Sequence, residues 1–570
     1  MTYNDLRKFL LDPSLDIQGL QREDRLCAAI PNGPESAVVY LVYCLRCTFA
    51  PLNLFYSSAE FEFEFADLPA KGLLVQCASA NTDQEQAATD TAVSAALASN
   101  LDILMEIIPS CKQAGIFTIS LTKDSKPLQG PMLGSPLQTV KSTHIALVLH
   151  TSGTTRKPKI VPLTHGNMVV GNLCHAAVNK FEESDVFINV MPMFHIAGLW
   201  ENMMCTIFSG AKLLAVPGKF SIDTFYKHVI GTCKPTVYSA VPTMHQLLVD
   251  RVEREGTKHC LRCIRNDSAA LVPGLAVKME TVLGSTIMPA YSMTESNPIT
   301  SNPRYGPRKL RSVGPTVGPD LQVMAAWPET RVMRPGEEGE VCVRGSCVMQ
   351  GYEVRPHMEK DPNIETFTDG WMRSGDKGWI DDDGYLYLSG RFKEIIKRGG
   401  ETISPFVVED VVQSHPEIST CLVFSAPHAQ LGEGVGAAVV VSQFSGLVPG
   451  AAAFRKLRSF VKERASANFV PDCVVFFKDI PKGPTGKPVR INLAHKLSLP
   501  ELDGSQPDEG AVWVCTHWDG ISGKVETVDI AAKVEETPET HTYVSDARVK
   551  LAVPYEPMPK AMDPWEHDTL

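Results

Sequence analysis

Short apolar runs alternate with longer helix-like stretches over most of the chain. LLVQC at 73–77, IFTISL at 116–121 and IALVLH at 145–150 have the length and composition of buried strands. The segment from Ala87 to Leu104 reads as a helix between the first two. Alternation of this kind predicts α/β layers on buried parallel strands. The pattern changes near Gly384. YLYLSG and RFKEIIKRGGETI predict strands around a Gly-Gly turn. Ser404-Pro405 then opens a predicted helix, SPFVVEDVVQSH, with the serine as cap and the proline in the first turn. CLVFSAP and GAAVVVSQF follow as strands, and this smaller α+β unit ends near Leu497. Beyond Glu501 no strong period is visible. The longest apolar stretch, Ala37 to Leu45, is closed by Arg46 and falls far short of the roughly 20 residues that a membrane-crossing helix needs.

A chain of 570 residues is too long for a single core. With 44% hydrophobic and 21% charged residues it has an ordinary globular composition. Three parts are expected: a large domain over 1–390, a small one over 391–497 and an acidic extension over 498–570. From Glu501 onward 15 acidic residues stand against 5 Lys or Arg, −10 of the net charge of −11, so the first 500 residues are close to neutral. A neutral body argues against nucleic acid or an anionic membrane as the main partner. The 15 cysteines are scattered and many lie in apolar runs, a pattern of buried free thiols in a reducing compartment. Cys44-x-x-Cys47 and Cys260-x-x-Cys263 lie too far apart in the chain to read as one zinc site. The opening MTYNDLRKFLLD lacks the design of a secretory signal.

HTSGTTRKPKIVPLTHGN at 150–167 carries the most chemistry. Gly153 lets the backbone approach a ligand closely. The hydroxyls of Thr151, Ser152, Thr154 and Thr155 can donate to phosphate oxygens, and Lys157 and Lys159 supply positive charge. The spacing is not that of a Walker A loop. On composition alone, a polar surface loop explains the segment equally well.

The segment resembles the phosphate loop of the adenylate-forming superfamily of acyl-CoA synthetases, amino-acid adenylation domains and luciferases, [ST]-S-G-[ST]-T-G-x-P-K-G. It matches at Thr151 to Thr155, Pro158 and Lys159 and departs at Arg156 and Ile160, where the family has glycine. Further family motifs follow in order. YSMTE at 291–295 resembles Y-G-x-T-E, DSAAL at 267–271 resembles S-G-A-A-P, and GEVCVRGSCVMQGY at 339–352 fits a segment read as structural. WMRSGDKGWIDDDGYLYLSGRFKEIIKRGGETISP at 371–405 is the longest match, and PKGPTGKPVR at 481–490 resembles P-K-T-x-[ST]-G-K-x-x-R.

The resemblance implies a fold and a set of roles. The fold is a large, multi-sheet AMP-binding domain carrying a small, mobile α+β lid. Tyr291 would stack on adenine beside Ser268, Ala269 and Ala270, Thr294 would contact the α-phosphate, and Glu295 would help hold Mg²⁺. Asp376 and Arg391 would take the ribose; a carboxylate suits vicinal hydroxyls because it only accepts. Lys487 would be the catalytic lysine of adenylation. Rotation at the hinge residue Lys393 would replace it with the segment from Lys397 to Gly400 for thioester formation. The activity implied is ATP-dependent conversion of a carboxylic acid to acyl-AMP and then to a CoA thioester, with release of pyrophosphate and AMP.

MPMFHIAGL at 191–199 fits the family's aromatic-His segment, whose His195 would gate the acyl pocket. A histidine there, where amino-acid adenylators have aspartate, argues against an α-amino acid. The nearest subgroup by eye is the peroxisomal-type, oxalyl-CoA synthetase-like ligases, on PNGPE, PLNLFYSSAEFEFEFAD, LHTSGTT and RGGETISP. Ala197 stands where members of that subgroup commonly have the second histidine of F-H-V-H-G, Pro298 where oxalate users have a further histidine after T-E, and Met193, Ile196 and Met293 suggest an apolar lining. A small or medium monocarboxylic acid is therefore expected. The alternatives are an enzyme that loads a carrier protein's phosphopantetheine thiol and a non-catalytic nucleotide-binding relative. The terminal Asp-Thr-Leu is not an S-K-L address, so a cytoplasmic location is the expectation, with a peroxisomal one left open.

Overall fold

The computed structural model describes residues 2–12, 15, 20–76, 82–99, 102–107, 118–122, 140–151, 158–442, 445–482, 488–503, 511–518 and 525–529. The expected loop residues Ser152, Gly153, Thr154 and Thr155, and the expected catalytic Lys487, lie outside them.

Two sheets with parallel centres make up most of the large domain. The first runs in the order Thr118–Thr122, Asp102–Ile107, Ala70–Gln76, Arg25–Ala29, Thr48–Pro51, Ile145–His150, Ile160–Thr164. Its inner strands pair in parallel and both edge pairs are antiparallel. The second runs Ser296–Ser301, Thr286–Met293, Cys263–Asn266, Val237–Ala240, Val186–Asn189, Lys212–Ala215, parallel throughout except at the hairpin on its first edge. Within the described residues, 73–76, 118–121 and 145–150 of the predicted runs lie in strands, and the first and last are almost wholly buried, as continuous hydrophobic sequence in a layered fold requires. The segment from Ala87 to Leu104 divides instead. A helix over Asp83–Ala98 starts at a capping box between Thr82 and Glu85 and stops at Ser99, and a strand follows over Asp102–Ile107.

A third, antiparallel sheet runs Asp320–Met324, Gly339–Arg344, Trp371–Ile380, with Leu386–Arg391 also on Trp371–Ile380. The smaller domain has its own sheet and core. Ile396–Arg398 and Glu401–Ile403 form the predicted hairpin, with Gly399 and Gly400 at φ 57° and 90°, the left-handed pair that a tight two-residue turn requires. The predicted helix spans Pro405–Gln413, but the Ser404 hydroxyl does not cap it; it donates to the Ser389 carbonyl on the last strand of the third sheet. Past Glu501, Ala511–Trp518 pairs in parallel with Cys473–Phe476, and Val525–Asp529 pairs antiparallel with Ala511–Trp518. The extension thus adds two strands to this domain's sheet, with Val512 and Trp513 buried in its two cores. Among the described residues no helix is long and apolar enough to cross a membrane.

Candidate active site

Strands Val237–Ala240, Cys263–Asn266 and Thr286–Met293 run in parallel, so their C-terminal ends lie together. Open α/β sheets take ligands at such ends. DSAAL follows the second strand and YSMTE closes the third. Ser268 has φ 69°, a left-handed conformation rare for a residue with a Cβ. It fills the glycine position of the resembled motif, so the backbone keeps that shape at the cost of local strain. Asn266 Nδ2 donates to the Ala269 carbonyl at 2.8 Å and holds the turn.

The Tyr291 hydroxyl donates to the Asp376 carboxylate. Asp376 and Arg391 are cross-strand partners in the third sheet, and Arg391 Nε lies 2.9 Å from Asp376 Oδ1. Residues read from two separate motifs therefore meet. The carboxylate beside it holds the Arg391 guanidinium above its ordinary value. Burial, reinforced by that carboxylate, pushes the Tyr291 phenol up.

Glu295 is buried at the other end of the same turn, and Thr294 is half-buried beside it. The Tyr352 hydroxyl donates to the Glu295 carboxylate, and Met349 N–H donates to its carbonyl at 2.8 Å. Lys159 Nζ lies 4.2 Å from the centre of the Tyr352 ring. Burial pushes the Lys159 ammonium down, with Glu295 opposing. The segment 339–352, read from sequence as structural, thus supplies Tyr352 to the site. Thr151 and Lys159, on either side of the expected phosphate loop, are joined twice: Thr151 N–H donates to the Lys159 carbonyl at 2.9 Å, and Lys159 N–H donates to Thr151 Oγ1 at 3.1 Å. Accepting that bond leaves the Thr151 hydroxyl its own proton to donate.

His195 is buried after a turn in which its N–H donates to the Pro192 carbonyl at 3.1 Å. Ala197 N–H donates to its Nδ1 at 3.2 Å, which puts the hydrogen of a neutral ring on Nε2. Among the described residues no group of three or more His, Cys, Asp or Glu forms a metal cage. The lone Glu295 carboxylate suits Mg²⁺, which takes one or two protein carboxylates beside substrate phosphates.

His150, at the end of the strand leading into the phosphate loop, lies between two carboxylates of the helix Ser58–Asp67. Its Nε2 is 2.9 Å from Asp67 Oδ2, and its Nδ1 contacts Glu64. Asp67 also meets His357 at 3.1 Å and Arg355 at 3.4 Å, just beyond Tyr352. Burial alone would push the His150 imidazole down, but the bonds and charges of Asp67 and Glu64 overcome it and raise it to about 9. The ordinary value is 6.5, so the stabilisation is complete below that pH and is lost as pH rises through about 9. The melting temperature is expected to fall between pH 7 and 9.5, and His150→Gln to flatten that part of the profile; thermal melts across pH check it. Sequence reading missed these residues. The one local signal was the Glu-Phe alternation in AEFEFEFAD, which places Glu64 one turn before Asp67.

Lys393 follows the strand Leu386–Arg391, where Glu394 N–H donates back to the Arg391 carbonyl at 2.9 Å. The Lys397 side chain is exposed, and its N–H donates to Glu433 Oε2 at 2.6 Å within the small domain. Val489 N–H donates to the Pro481 carbonyl at 2.9 Å. Next to it, Arg490 binds Glu409 at 2.5 Å and, at 3.1 Å, Glu394, the residue after the expected hinge Lys393.

Comparison with known proteins shows the family and the fold. Residues 9–353 match the family model "AMP-binding enzyme", and residues 407–487 match "AMP-binding enzyme C-terminal domain". An oxalate–CoA ligase of Arabidopsis thaliana is 35% identical over 493 residues, 85% of this chain and 90% of the relative. A long-chain-fatty-acid–CoA ligase of Bacillus subtilis is 28% identical, covering 86% of this chain and 89% of the relative. The crystal structure of ATP-bound MatB from Rhodopseudomonas palustris superposes with a TM-score of 0.72 at 25% identity, covering 87% of this chain and 93% of that one. The chain belongs to the AMP-binding, adenylate-forming family of enzymes.

Proposed function

We infer that the residues gathered around Tyr291, Glu295 and Asp376 carry out both half-reactions of an acid–thiol ligase. The chain is an AMP-forming acid–CoA ligase: it turns a carboxylic acid into its acyl-adenylate with release of pyrophosphate, then into a CoA thioester with release of AMP. The observation that carries the site assignment is the convergence of Tyr291, Asp376 and Arg391 at the ends of the parallel strands.

A carboxylate is a poor electrophile, and joining it to the α-phosphate of ATP makes its carbonyl reactive. Attack of one anion on another needs charge neutralisation and alignment more than covalent help. Asp376 accepts from the ribose hydroxyls, with Arg391 beside it, and the Tyr291 ring covers adenine against Ser268, Ala269 and Ala270. Thr294 and the loop hydroxyls of Thr151, Ser152, Thr154 and Thr155, with Lys159, hold the phosphates. Lys487 bridges the incoming carboxylate and the α-phosphate. Glu295 would hold Mg²⁺, which would supply charge neutralisation for the phosphates. The small domain, 391–497, then turns at Lys393 so that the Lys397 segment attends the thiol's attack. Among these the positions of the side chains at Tyr291, Glu295, Asp376 and Arg391 support the reading; the roles of Lys487 and Lys397 rest on the motif resemblance.

The acid is a small or medium monocarboxylate, bounded by His195, Met193, Ile196 and Met293. Met193 and Ile196 are buried in the main core, and the buried cation Arg265 is already engaged by Asp267 and His175. Free CoA, rather than a carrier-bound thiol, is the acceptor, and the buried free thiols favour a reducing compartment such as the cytoplasm. Pyrophosphate and AMP release across a panel of mono- and dicarboxylic acids, with CoA and with a phosphopantetheinylated carrier, tests the reading. Turnover is expected with monocarboxylates and CoA. Preference for a dicarboxylate would overturn the acid assignment, and preference for the carrier would overturn the acceptor.

A further inference from the structure

Two residues after His195 the chain enters a π-helical run, Ala197–Met204. Such wide turns are rare and often occur at functional sites. The run is packed tightly: a Cβ on Gly198 would lie 2.1 Å from the Pro192 carbonyl oxygen, in the turn that sets His195. Its fifth residue, Glu201, is 1% exposed. One oxygen, Oε1, accepts from Asn297 Nδ2 at 2.8 Å and also from the Ser292 hydroxyl. Ser292 and Asn297 bracket the turn that carries Thr294 and Glu295, so a single buried oxygen ties down both flanks of that turn.

The far side of Asn297 is fixed as well. His175 Nε2–H donates to its Oδ1 at 2.5 Å, and Arg265 donates to His175 Nδ1 at 3.2 Å. Asp267, the residue before Ser268, lies 3.4 Å from Arg265 and accepts from the Ser239 hydroxyl at 2.9 Å. One buried chain of polar groups therefore links the His195 segment, the 291–297 turn and the adenine segment. Burial, with Asp267 adding to it, pushes the Glu201 carboxyl up to about 8. A neutral acid in this place needs no counter-ion and still offers a carbonyl-type oxygen to both donors.

We propose that Glu201 is a positioning residue that couples the His195 segment of the acid pocket to the turn bearing Thr294 and Glu295, and so sets the geometry in which the adenylate forms. This rests on reading that turn as part of the nucleotide site. A loosened turn leaves ATP binding largely intact but misplaces the groups around the α-phosphate, so the loss falls on kcat. Ser292→Ala and Glu201→Ala are each expected to slow pyrophosphate release about tenfold with KM for ATP within about threefold, and Glu201→Gln to restore most of the rate because its amide oxygen still accepts. The Ser292→Ala/Glu201→Ala double variant should lose less than the product of the two single losses, because both single variants already lose the Ser292–Glu201 hydrogen bond.

Wild-type kcat in Ser292→Ala, a Glu201→Gln enzyme as slow as Glu201→Ala, or fully multiplicative losses would each overturn the proposal. If Glu201→Ala does not fold, wild-type kcat in Ser292→Ala, or a Glu201→Gln enzyme slowed about tenfold or more, overturns it. Glu295→Gln separates the two levels. If it retains wild-type activity, the nucleotide-site reading itself fails; if it is inactive while Ser292→Ala is unaffected, only the coupling role of Glu201 fails.

Discussion

A Lys487→Ala enzyme is expected to release pyrophosphate about 10²–10³ times more slowly than wild type with its best acid, the usual cost of losing one preorganised group that stabilises developing charge. The lysine is asked to stand between two anions, the acid's carboxylate and the α-phosphate, whose repulsion opposes the attack. The second half-reaction provides the control. Supplied with synthetic acyl-adenylate and CoA, the same variant should form thioester within about threefold of the wild-type rate, because attack by the thiol does not bring those anions together. Single-turnover measurement of each half-reaction checks both statements. Equal pyrophosphate release by variant and wild type would remove the lysine from the chemistry.

The second large effect is expected at Asp376. Its carboxylate faces Arg391 Nε at 2.9 Å and takes the Tyr291 hydroxyl, and the ribose hydroxyls are its proposed ligands. Two hydrogen bonds to a charged acceptor are each worth about 1.5–3 kcal/mol. Asp376→Ala should therefore lower kcat/KM for ATP by about 10²-fold or more, and Asp376→Asn, which cannot accept on both atoms, by nearly as much. Stability should change little, because the Arg391 side chain is 44% exposed and stays hydrated when its partner is lost. ATP–pyrophosphate exchange and thermal melts on the same preparations separate the two effects. A collapsed melting temperature with unchanged ATP kinetics would make Asp376 a structural residue.

What sequence pattern revealed was mostly what is local. IALVLH at 145–150 is a strand with the predicted bounds, because continuous apolar sequence has few other uses in a layered fold. Tyr291, Asp376 and Arg391 stood out through motifs, and the sheet register brings them together. The helix expected from Ala87 to Leu104 failed at its end, where an apolar run after Ser99 turns into a strand, and apolar content alone does not separate the two. Glu201, Tyr352 and the Glu64–Asp67–His150 group were not visible. Each acts through a partner 57–96 residues away, and no short-range period encodes such a pairing.

The paired strand Ala511–Trp518 has a consequence for any shortened form of this protein. Cys473–Phe476 is buried along its whole length. Cutting the polypeptide before residue 511 would strip its neighbour and bare a row of unsatisfied amides and carbonyls flanked by valine and phenylalanine, a template for sticking to further copies. A truncated preparation would then precipitate for reasons unrelated to nucleotide chemistry.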